Sequence, residues 1–467
     1  MPGRDLLSGM GAGHPASSAP LGAVAEKSGL TEHGPVRAKG RRRGRRRASA
    51  GEGTGHAKIP SGQARSEAAA QGLTGEDRAS LPAGGVQTRQ EQSSPAAPGD
   101  VRADVRADMR TGLRPGVRAT SGRGVDPLYA ALDLGTNNCR LLIARPDDRG
   151  FRVVDAYSRI VRLGEGVGST GLLSTQAMDR AVEALDICQR KLEERGVARA
   201  RLIATEACRA AANGLDFIER VRAETGMTLE VVSRETEARL AVAGCVTLVD
   251  PAADGVILFD IGGGSSEIVW LDLRNRCGAR GFALTRFIRS WASLPVGVVN
   301  LAERHGGVDV TPEVFEAMVR DVEGHLAGFA LGEDLSAAIR GGGVHMLGTS
   351  GTVTTLAGVQ LGLKRYDRRR VDGAWLESGQ VSEMIDRLRQ MSYEERVNNP
   401  CIGADRADLV LAGCAILEAI RRRWNCERLR VADRGLREGI LTELMAADGV
   451  WSKGKGGRWG SRNKGKT

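Results

Sequence analysis

The first 125 residues contain no Phe, Tyr or Trp, in a chain of 467 residues. Gly, Ala, Arg, Ser and Pro dominate this segment, and it cannot bury enough apolar surface to offset the entropy lost on ordering. We therefore expect residues 1–125 to be a disordered basic extension. The arginine-rich run at residues 41–47 could hold RNA or another polyanion by counterion release. A solvated tail without a partner is an equally good interpretation.

Acidic side chains are scarce only at the two ends of the chain. Residues 1–125 hold 20 Lys and Arg against 11 Asp and Glu, and residues 452–467 hold 6 basic side chains and no acidic one. The net charge of +10 therefore belongs to the ends, and the body between them carries a formal charge of −5. The basic pI is consequently no evidence that the body binds nucleic acid.

The sequence also lacks a C-x-x-C pair and any run of about 18 apolar residues, the length that crosses a membrane. Its eight cysteines are scattered, most of them in apolar stretches, so we expect buried thiols in a reducing compartment rather than a zinc site or disulfides. No apolar segment typical of a signal peptide follows the N-terminus. We therefore expect a soluble, cytoplasmic protein without a membrane partner.

Two stretches of the body share one pattern, in which an acidic residue and a glycine turn lie between apolar runs. The sequence DLGTNN covers residues 133–138, and DIGGGSSE covers residues 260–267. Each predicts a strand-turn-strand hairpin. Glycine turns let successive N–H groups approach an anion, while Asp260 and Glu267 add hard oxygens for a divalent cation. One such turn is more often an ordinary hairpin, but two copies indicate a duplicated chain with two facing phosphate loops.

The body predicts an α/β protein with two domains and a cleft between them. The first domain, residues 126–254, has the element order βββαβαβα. Ser174 is expected to cap its first long helix, and one helix is expected over residues 206–224.

The second domain, residues 255–446, begins with the glycine-rich hairpin. Its remaining elements are expected at 283–294, 311–331, 344–347, 407–422, 429–432 and 436–445. Residues 348–352 (GTSGT) predict a helix N-terminus suited to an anion. Residues 447–467 are expected to be a second disordered basic tail.

Six motifs, in this order along the chain, carry a resemblance to a known family. They are DLGTNNCR (133–140), TEACRAAANG (205–214), RETEARL (234–240), DIGGGSSE (260–267), GTSGT (348–352) and VADRGLREGIL (431–441). Together they resemble the exopolyphosphatase and guanosine pentaphosphate phosphohydrolase family over residues 128–446. The resemblance implies the fold of actin, sugar kinases and Hsp70, with two ribonuclease-H-like domains around a phosphate-binding cleft. It also implies a short family member without the helical C-terminal domain of longer relatives.

The resemblance also implies residues for the chemistry. Phosphoanhydride hydrolysis needs an in-line water, a base and positive charge on the phosphoryl oxygens. Half of the six histidines lie in the N-terminal extension, which favours a carboxylate base, and the family's catalytic glutamate corresponds to Glu237. Glu235 is the alternative, and both could instead be favourable charges at a helix N-terminus. Arg209 is expected to bind a phosphate oxygen pair, with a surface ion pair as its alternative role.

The same comparison implies which residues hold substrate and metal. Mg²⁺ is the expected cofactor, with Mn²⁺ as the alternative. The expected phosphate contacts are Gly135, Thr136, Asn137 and Asn138 from one wall and Gly262, Gly263, Gly264 and Ser265 from the other. The expected metal ligands are Asp133, Asp260 and Glu267. The basic residues 364–370 would either receive the distal phosphates of a long chain or form a solvated loop.

Four functions remain open at this point. An exopolyphosphatase that releases orthophosphate from inorganic polyphosphate is the first, and removal of the 5′-phosphate of pppGpp is its near rival. A kinase or ATPase of the same superfold and a polyanion or RNA binder acting through the tails are the others. The expected partners are the phosphate substrate and, for the tails, weakly bound RNA or another polyanion. A homodimer is a further expectation.

Overall fold

The computed structural model describes residues 126–148, 150–329 and 333–451. The predictions made for residues 1–125 and 452–467, namely their disorder and their binding of RNA or polyanions, lie outside the described residues. Within these ranges, no helix combines the length and the apolar character that crossing a membrane requires.

The first sheet has five strands. They are β1 (Tyr129–Leu134), β2 (Asn138–Asp147), β3 (Gly150–Ile160), β4 (Arg199–Ala204) and β5 (Glu230–Val231). Their order is β3-β2-β1-β4-β5, in which the first three pair antiparallel and β4 and β5 run parallel to β1. The central strand β1 is apolar without alternation because both faces of the sheet are covered.

Five helices lie among the described residues up to position 245. They are α1 (Val167–Thr170), α2 (Thr175–Glu194), α3 (Glu206–Ala210), α4 (Gly214–Thr225) and α5 (Arg234–Cys245). Ser174 caps α2 as predicted, because its hydroxyl accepts from the N–H of Ala177 at 3.2 Å.

The single helix predicted over residues 206–224 is wrong, because the chain breaks between α3 and α4. The Asn213 side chain accepts from the N–H of Leu173 at 2.8 Å and donates to its carbonyl at 3.0 Å, which anchors the turn. Gly214 follows at a close approach of backbone to backbone, where a Cβ would lie 1.9 Å from the Cys208 carbonyl oxygen. Only glycine allows the chain to fold back there.

The second sheet repeats the arrangement of the first with one extra strand. Its strands are β6 (Gly255–Ile261), β7 (Ser266–Asp272), β8 (Ile288–Leu294), β9 (Val344–Thr349), β10 (Trp375–Glu377) and β11 (Arg428–Ala432). The order is β8-β7-β6-β9-β11-β10, with an antiparallel β6-β7-β8 meander and with β9 and β11 running parallel to β6. The duplication predicted from the two glycine turns is confirmed, and each sheet has the ribonuclease-H-like strand order.

In the described part of the chain, nine further helices follow α5. They are α6 (Val298–His305), α7 (Pro312–Ala327), α8 (Glu333–Arg340), α9 (Gly351–Gln360), α10 (Arg368–Val371), α11 (Ser378–Gln390), α12 (Tyr393–Asn398), α13 (Val410–Arg423) and α14 (Leu436–Ala447). The helix predicted over residues 311–331 ends earlier, before Gly328. The segment predicted at 283–294 is a 3₁₀ helix over Gly281–Phe287 followed by the strand β8.

Helices α5 and α14 form a layer between the two sheets. The α5 residues Ala241 and Val242 pack against the second sheet, whereas the α14 residues Ile440 and Leu441 pack against the first. The helices touch through backbone, since a Cβ on Gly244 would lie 1.9 Å from the Gly435 carbonyl oxygen. Each helix therefore contacts the sheet that the sequence assigned to the other domain.

Two predicted assignments near the C-terminus change as a result. Residues 436–446 were placed with the second domain, but their apolar side chains lie on the first sheet. Asp448 and Trp451 were placed in the disordered tail, but they contact the first sheet as well. The Asp448 carboxylate accepts from the Tyr129 hydroxyl at 2.8 Å, and the Trp451 indole N–H donates to the Asp147 carbonyl at 3.0 Å.

Candidate active site

The two predicted phosphate loops are tight turns at the same end of their sheets. In the first, the Gly135 N–H donates to the Asn138 carbonyl at 2.9 Å. In the second, the Gly262 N–H donates to the Ser265 carbonyl at the same distance. Each turn joins the first two strands of its sheet, so the duplicated topology presents two equivalent loops.

The two loops face each other in direct contact. A Cβ on Gly263 would lie 2.9 Å from the Thr136 Cβ, and a Cβ on Gly264 would lie 2.7 Å from the Thr136 hydroxyl oxygen. Real Cβ atoms do not come this close, so glycine is required at both positions for the loops to meet.

A cavity of about 140 Å³ lies between the loops. All eight predicted phosphate-contacting residues and the predicted base line it. The three predicted metal ligands line it as well. They are Asp133, Asp260 and Glu267. The structure thus brings together residues that lie more than 130 positions apart in the sequence, although their roles stay predictions.

The carboxylates in this cavity repel one another. Burial, reinforced by the nearby charge of Asp133, raises the pKa of Asp260 to about 6. The pKa of Glu267 is raised well above its usual range by burial and by the charges of Glu237 and Asp260. Two hydroxyls offset part of this effect, since Ser265 and Ser293 donate to Glu267 Oε1 at 2.8 and 2.9 Å. A bound cation would relieve the repulsion.

Glu237 lies in the first turn of α5, whose N-terminus is capped by the Ser233 hydroxyl at 3.2 Å from the N–H of Thr236. Burial raises the pKa of Glu237 to about 7, Arg209 opposes the rise, and Asp133 and Asp260 add to it. A helix N-terminus favours the ionised carboxylate, but burial has the larger effect here. Glu235, the alternative base, is exposed and is not among the described residues that line the cavity.

Arg209 holds the Glu237 side chain from behind. Its Nη2 donates to Glu237 Oε2 at 3.0 Å and to Glu206 Oε2 at 2.6 Å, and its Nη1 donates to the Val232 carbonyl at 2.6 Å. Arg209 is not among the described residues that line the cavity. Its contact with a phosphate stays a prediction, while its contact with the predicted base is direct.

Sequence reasoning missed two arginines that line the cavity, Arg140 and Arg406. Arg140 forms no ion pair with any described residue, and Arg406 donates to the carbonyls of Cys401 at 2.8 Å and Ile402 at 3.2 Å. Burial, followed by the charge of Arg140, lowers the pKa of Arg406. Two cations without acidic partners therefore face the cavity, as an anion site requires.

The GTSGT segment also reaches the cavity, since Ser350, Gly351 and Thr352 at the start of α9 line it. None of the basic segment 364–370 is among the described residues that line the cavity. Tyr366 donates to Asp433 at 2.7 Å and Arg368 to Glu438 at 2.8 Å. Its contact with distal phosphates stays a prediction.

Comparison with known proteins agrees with this geometry. The Ppx/GppA phosphatase family matches residues 142–447. Exopolyphosphatase 2 of Mycobacterium tuberculosis is 29% identical over 336 residues, which cover 68% of this chain and 98% of that protein. A guanosine-5′-triphosphate,3′-diphosphate pyrophosphatase of Photobacterium profundum is 29% identical over 326 residues, which cover 69% of this chain and 60% of that protein.

Solved structures show the same similarity. The crystal structure of the Aquifex aeolicus member of the Ppx/GppA protein family superposes with a TM-score of 0.56 at 29% identity, covering 69% of this chain and 98% of that one. An exopolyphosphatase-like protein superposes with a TM-score of 0.60 at 27% identity, covering 68% and 99%. The chain therefore belongs to the Ppx/GppA phosphatase family.

Proposed function

We propose that this protein is an exopolyphosphatase, which hydrolyses the terminal phosphoanhydride bond of inorganic polyphosphate and releases orthophosphate. As a member of the Ppx/GppA phosphatase family it is a phosphoanhydride hydrolase, and the proposal concerns its substrate and mechanism. The observation that carries it is the convergence on a single cavity of two glycine loops, the Glu237 carboxylate and two arginines that form no salt bridge with a described residue.

In the proposed mechanism, the backbone N–H groups of the two loops bind the terminal phosphate. A water molecule attacks the terminal phosphorus through its oxygen, and Glu237 accepts a proton from that water as the new bond forms. The bond from that phosphorus to the bridging oxygen breaks, and the shortened chain leaves with its charge stabilised by Arg140 and Arg406. Arg209 acts as a positioning residue, because it fixes the Glu237 carboxylate and favours its ionised form.

Mg²⁺ or Mn²⁺ fits the donor chemistry of Asp133, Asp260 and Glu267, which are hard oxygen ligands with unfavourable mutual repulsion. No three described His, Cys, Asp or Glu side chains are grouped closely enough to hold a metal by themselves. The ion would therefore share one or two of these carboxylates with oxygens of water and substrate, which is usual for Mg²⁺. When bound, it supplies positive charge to the phosphoryl oxygens.

The surroundings of the cavity favour polyphosphate over pppGpp. None of the described residues that line the cavity is aromatic. A guanine base would find no aromatic face to stack on there, whereas a phosphate chain needs only donors and cations. Removal of the 5′-phosphate of pppGpp remains the second candidate, supported by the name of the Photobacterium relative.

The experiment is phosphate release by the purified protein from long polyphosphate, pppGpp and ATP in parallel, with Mg²⁺ and after treatment with EDTA. We expect the highest kcat/KM for polyphosphate and loss of activity without metal. Higher kcat/KM for pppGpp would replace the proposed substrate, and full activity after EDTA would remove the metal from the mechanism. ATP consumption with transfer to an acceptor would indicate a kinase.

A further inference from the structure

A second, more open depression of about 740 Å³, called the groove below, adjoins the cavity. The two share Asn138, Arg140 and Arg406, so a ligand can extend from one into the other without leaving the protein surface. The groove runs along the end of β3, an edge strand of the first sheet. Its other lining residues are Ser158, Arg159, Ile160, Arg162, Glu165, Arg180 and Asp405.

Five arginines and two acidic residues line this groove, which gives it a positive charge although the body of the chain carries a formal −5. Two of the arginines are held by ion pairs and hydrogen bonds within the protein. Arg162 binds both carboxylate oxygens of Asp408 at 2.9 and 3.1 Å, which ties the end of the first sheet to the segment before α13. Arg180 donates to the Val161 carbonyl at 2.9 Å and to Glu165 at 3.0 Å.

The other three arginines retain donors for a ligand. Arg140 forms no salt bridge with a described residue, although its charge acts on the buried Asp133 and Asp260. Arg406 is bound through backbone carbonyls that leave its Nη1 unpaired. Arg159 pairs at 2.9 Å with Glu183, whose side chain is 65% exposed and well hydrated. Arg140 and Arg406 line both the cavity and the groove, whereas Arg159 lines the groove alone.

We propose that this groove binds the distal phosphates of a polyphosphate chain whose terminal phosphate lies in the cavity. The inference rests on the proposed function of the cavity and names a chain subsite for it. A repeating anion matches a row of cations, and no described residue that lines the groove is aromatic, so a nucleic acid would find no ring to stack on. Because the groove is open to solvent, a long chain can continue beyond it.

The test compares Arg159→Gln with Arg190→Gln in the full chain. Arg159 lines the groove but not the cavity, so its substitution leaves the cavity lining unchanged. Arg190 is the matched control because it is an exposed arginine that also pairs with one acidic residue, Asp186, and it does not line the groove. We expect Arg159→Gln to raise KM for long polyphosphate about 3- to 10-fold, as for loss of one charge-assisted contact, with kcat unchanged. KM for tripolyphosphate, which the cavity and the shared arginines suffice to hold, stays unchanged.

Equal effects on long and short substrates, or no effect on either, would overturn the inference. A binding measurement separates this result from failure of the proposed function. In the Glu237→Gln background, where turnover is expected to be about 10²- to 10⁴-fold slower, Arg159→Gln is expected to weaken binding of long polyphosphate by the same factor. If the wild-type protein does not hydrolyse polyphosphate, the proposed function is wrong. If Arg159→Gln leaves the affinity of the Glu237→Gln protein for long polyphosphate unchanged, the proposed binding of distal phosphates in the groove is wrong, whatever the outcome for the function.

Discussion

The pKa of Glu237 is set by opposing effects of the residues around it. Burial and the charges of Asp133 and Asp260 raise its pKa to about 7, and Arg209 pulls it down. A general base works best when its pKa is close to the working pH, because it is then both ionised and basic enough to accept a proton. The side chains around Glu237 therefore matter as much as its own position in the first turn of α5.

Glu237→Gln is expected to lower kcat for phosphate release by about 10²- to 10⁴-fold, because the amide keeps the shape but cannot accept the water's proton. Substrate affinity is expected to stay within a few fold. Steady-state kinetics with polyphosphate provide the measurement, and Glu235→Gln is the matched control, since Glu235 is exposed on the same helix turn. Retention of more than a third of wild-type kcat in Glu237→Gln would exclude this base.

We expect the fall in kcat/KM at acid pH, the acid limb of the pH profile, to reflect protonation of Glu237. The base works in its ionised form, so kcat/KM is high above the raised pKa of about 7 and falls as the pH drops through it. Arg209→Gln removes the positive charge that lowers this pKa and is expected to move the limb upward by about one pH unit. A purely structural role for Arg209 would lower activity without moving the limb.

Residues that belong to a local pattern were assigned to the cavity from the sequence, while their roles stay predictions. Glu237, the two glycine turns and the three carboxylates were all found from their motifs, and all of them line one cavity. Arg140 ends the DLGTNNCR motif two positions after Asn138, on the same face of β2, so alternation along the strand could have identified it. Arg406 lies in a 3₁₀ turn with no recognisable pattern, and only the tertiary fold brings it to the cavity.

At the level of the element, the site depends on backbone contacts that side chains would prevent. The loop after β6 lies against the loop after β1 because Gly263 and Gly264 leave room for Thr136. The same principle joins α5 to α14 at Gly244. Loop contact and helix contact together set the distance between the two halves of the cavity.

Gly263→Ala is expected to reduce activity by separating the loops, because its Cβ would lie 2.9 Å from the Thr136 Cβ and 3.2 Å from the Asn137 nitrogen. We expect a rise in KM together with a loss of kcat, and overpacking of this kind typically costs about 1–3 kcal/mol of stability. Kinetics and thermal unfolding provide the measurements. Gly324→Ala in α7, where a Cβ meets no described atom within 4 Å, is expected to leave activity unchanged. Wild-type kinetics for Gly263→Ala would contradict the loop contact.

Element prediction failed where tertiary contacts override local pattern. The segment 206–224 has helical composition apart from Asn213 and Gly214, and hydrogen bonds between Asn213 and the distant Leu173 hold the break between α3 and α4. The C-terminal helix α14 follows β11 in sequence but packs on the first sheet. Neither outcome is visible in a local window, because both depend on residues far away in the chain.

At the level of the whole molecule, charge is divided between the ends and the body. The body carries a formal −5, although five arginines and two acidic residues line the groove, whereas residues 1–125 and 452–467 carry the excess of Lys and Arg. The net field of the body does not attract a long polyanion, so the basic ends would raise its local concentration by an attraction that salt screens.

Deleting residues 1–125 and 452–467 is therefore expected to raise KM for long polyphosphate, leave kcat nearly unchanged and flatten the salt dependence of kcat/KM. Tripolyphosphate kinetics are expected to change little, because so short a substrate cannot reach a tail and the cavity together. Kinetics at several salt concentrations provide the measurement. An unchanged KM and salt dependence for long chains would assign the tails to another partner, with RNA as the first to test.

The most direct test of the central claim, water attack on the terminal phosphorus of polyphosphate, is hydrolysis in ¹⁸O-labelled water. The account predicts that each orthophosphate released by the wild-type protein carries one ¹⁸O atom and that the remaining chain carries none, because the new bond forms at the terminal phosphorus and the bridging oxygen leaves with the chain. Mass spectrometry of both products gives the answer. Unlabelled orthophosphate with label at the end of the chain, or phosphate transferred to an acceptor without label, would contradict it.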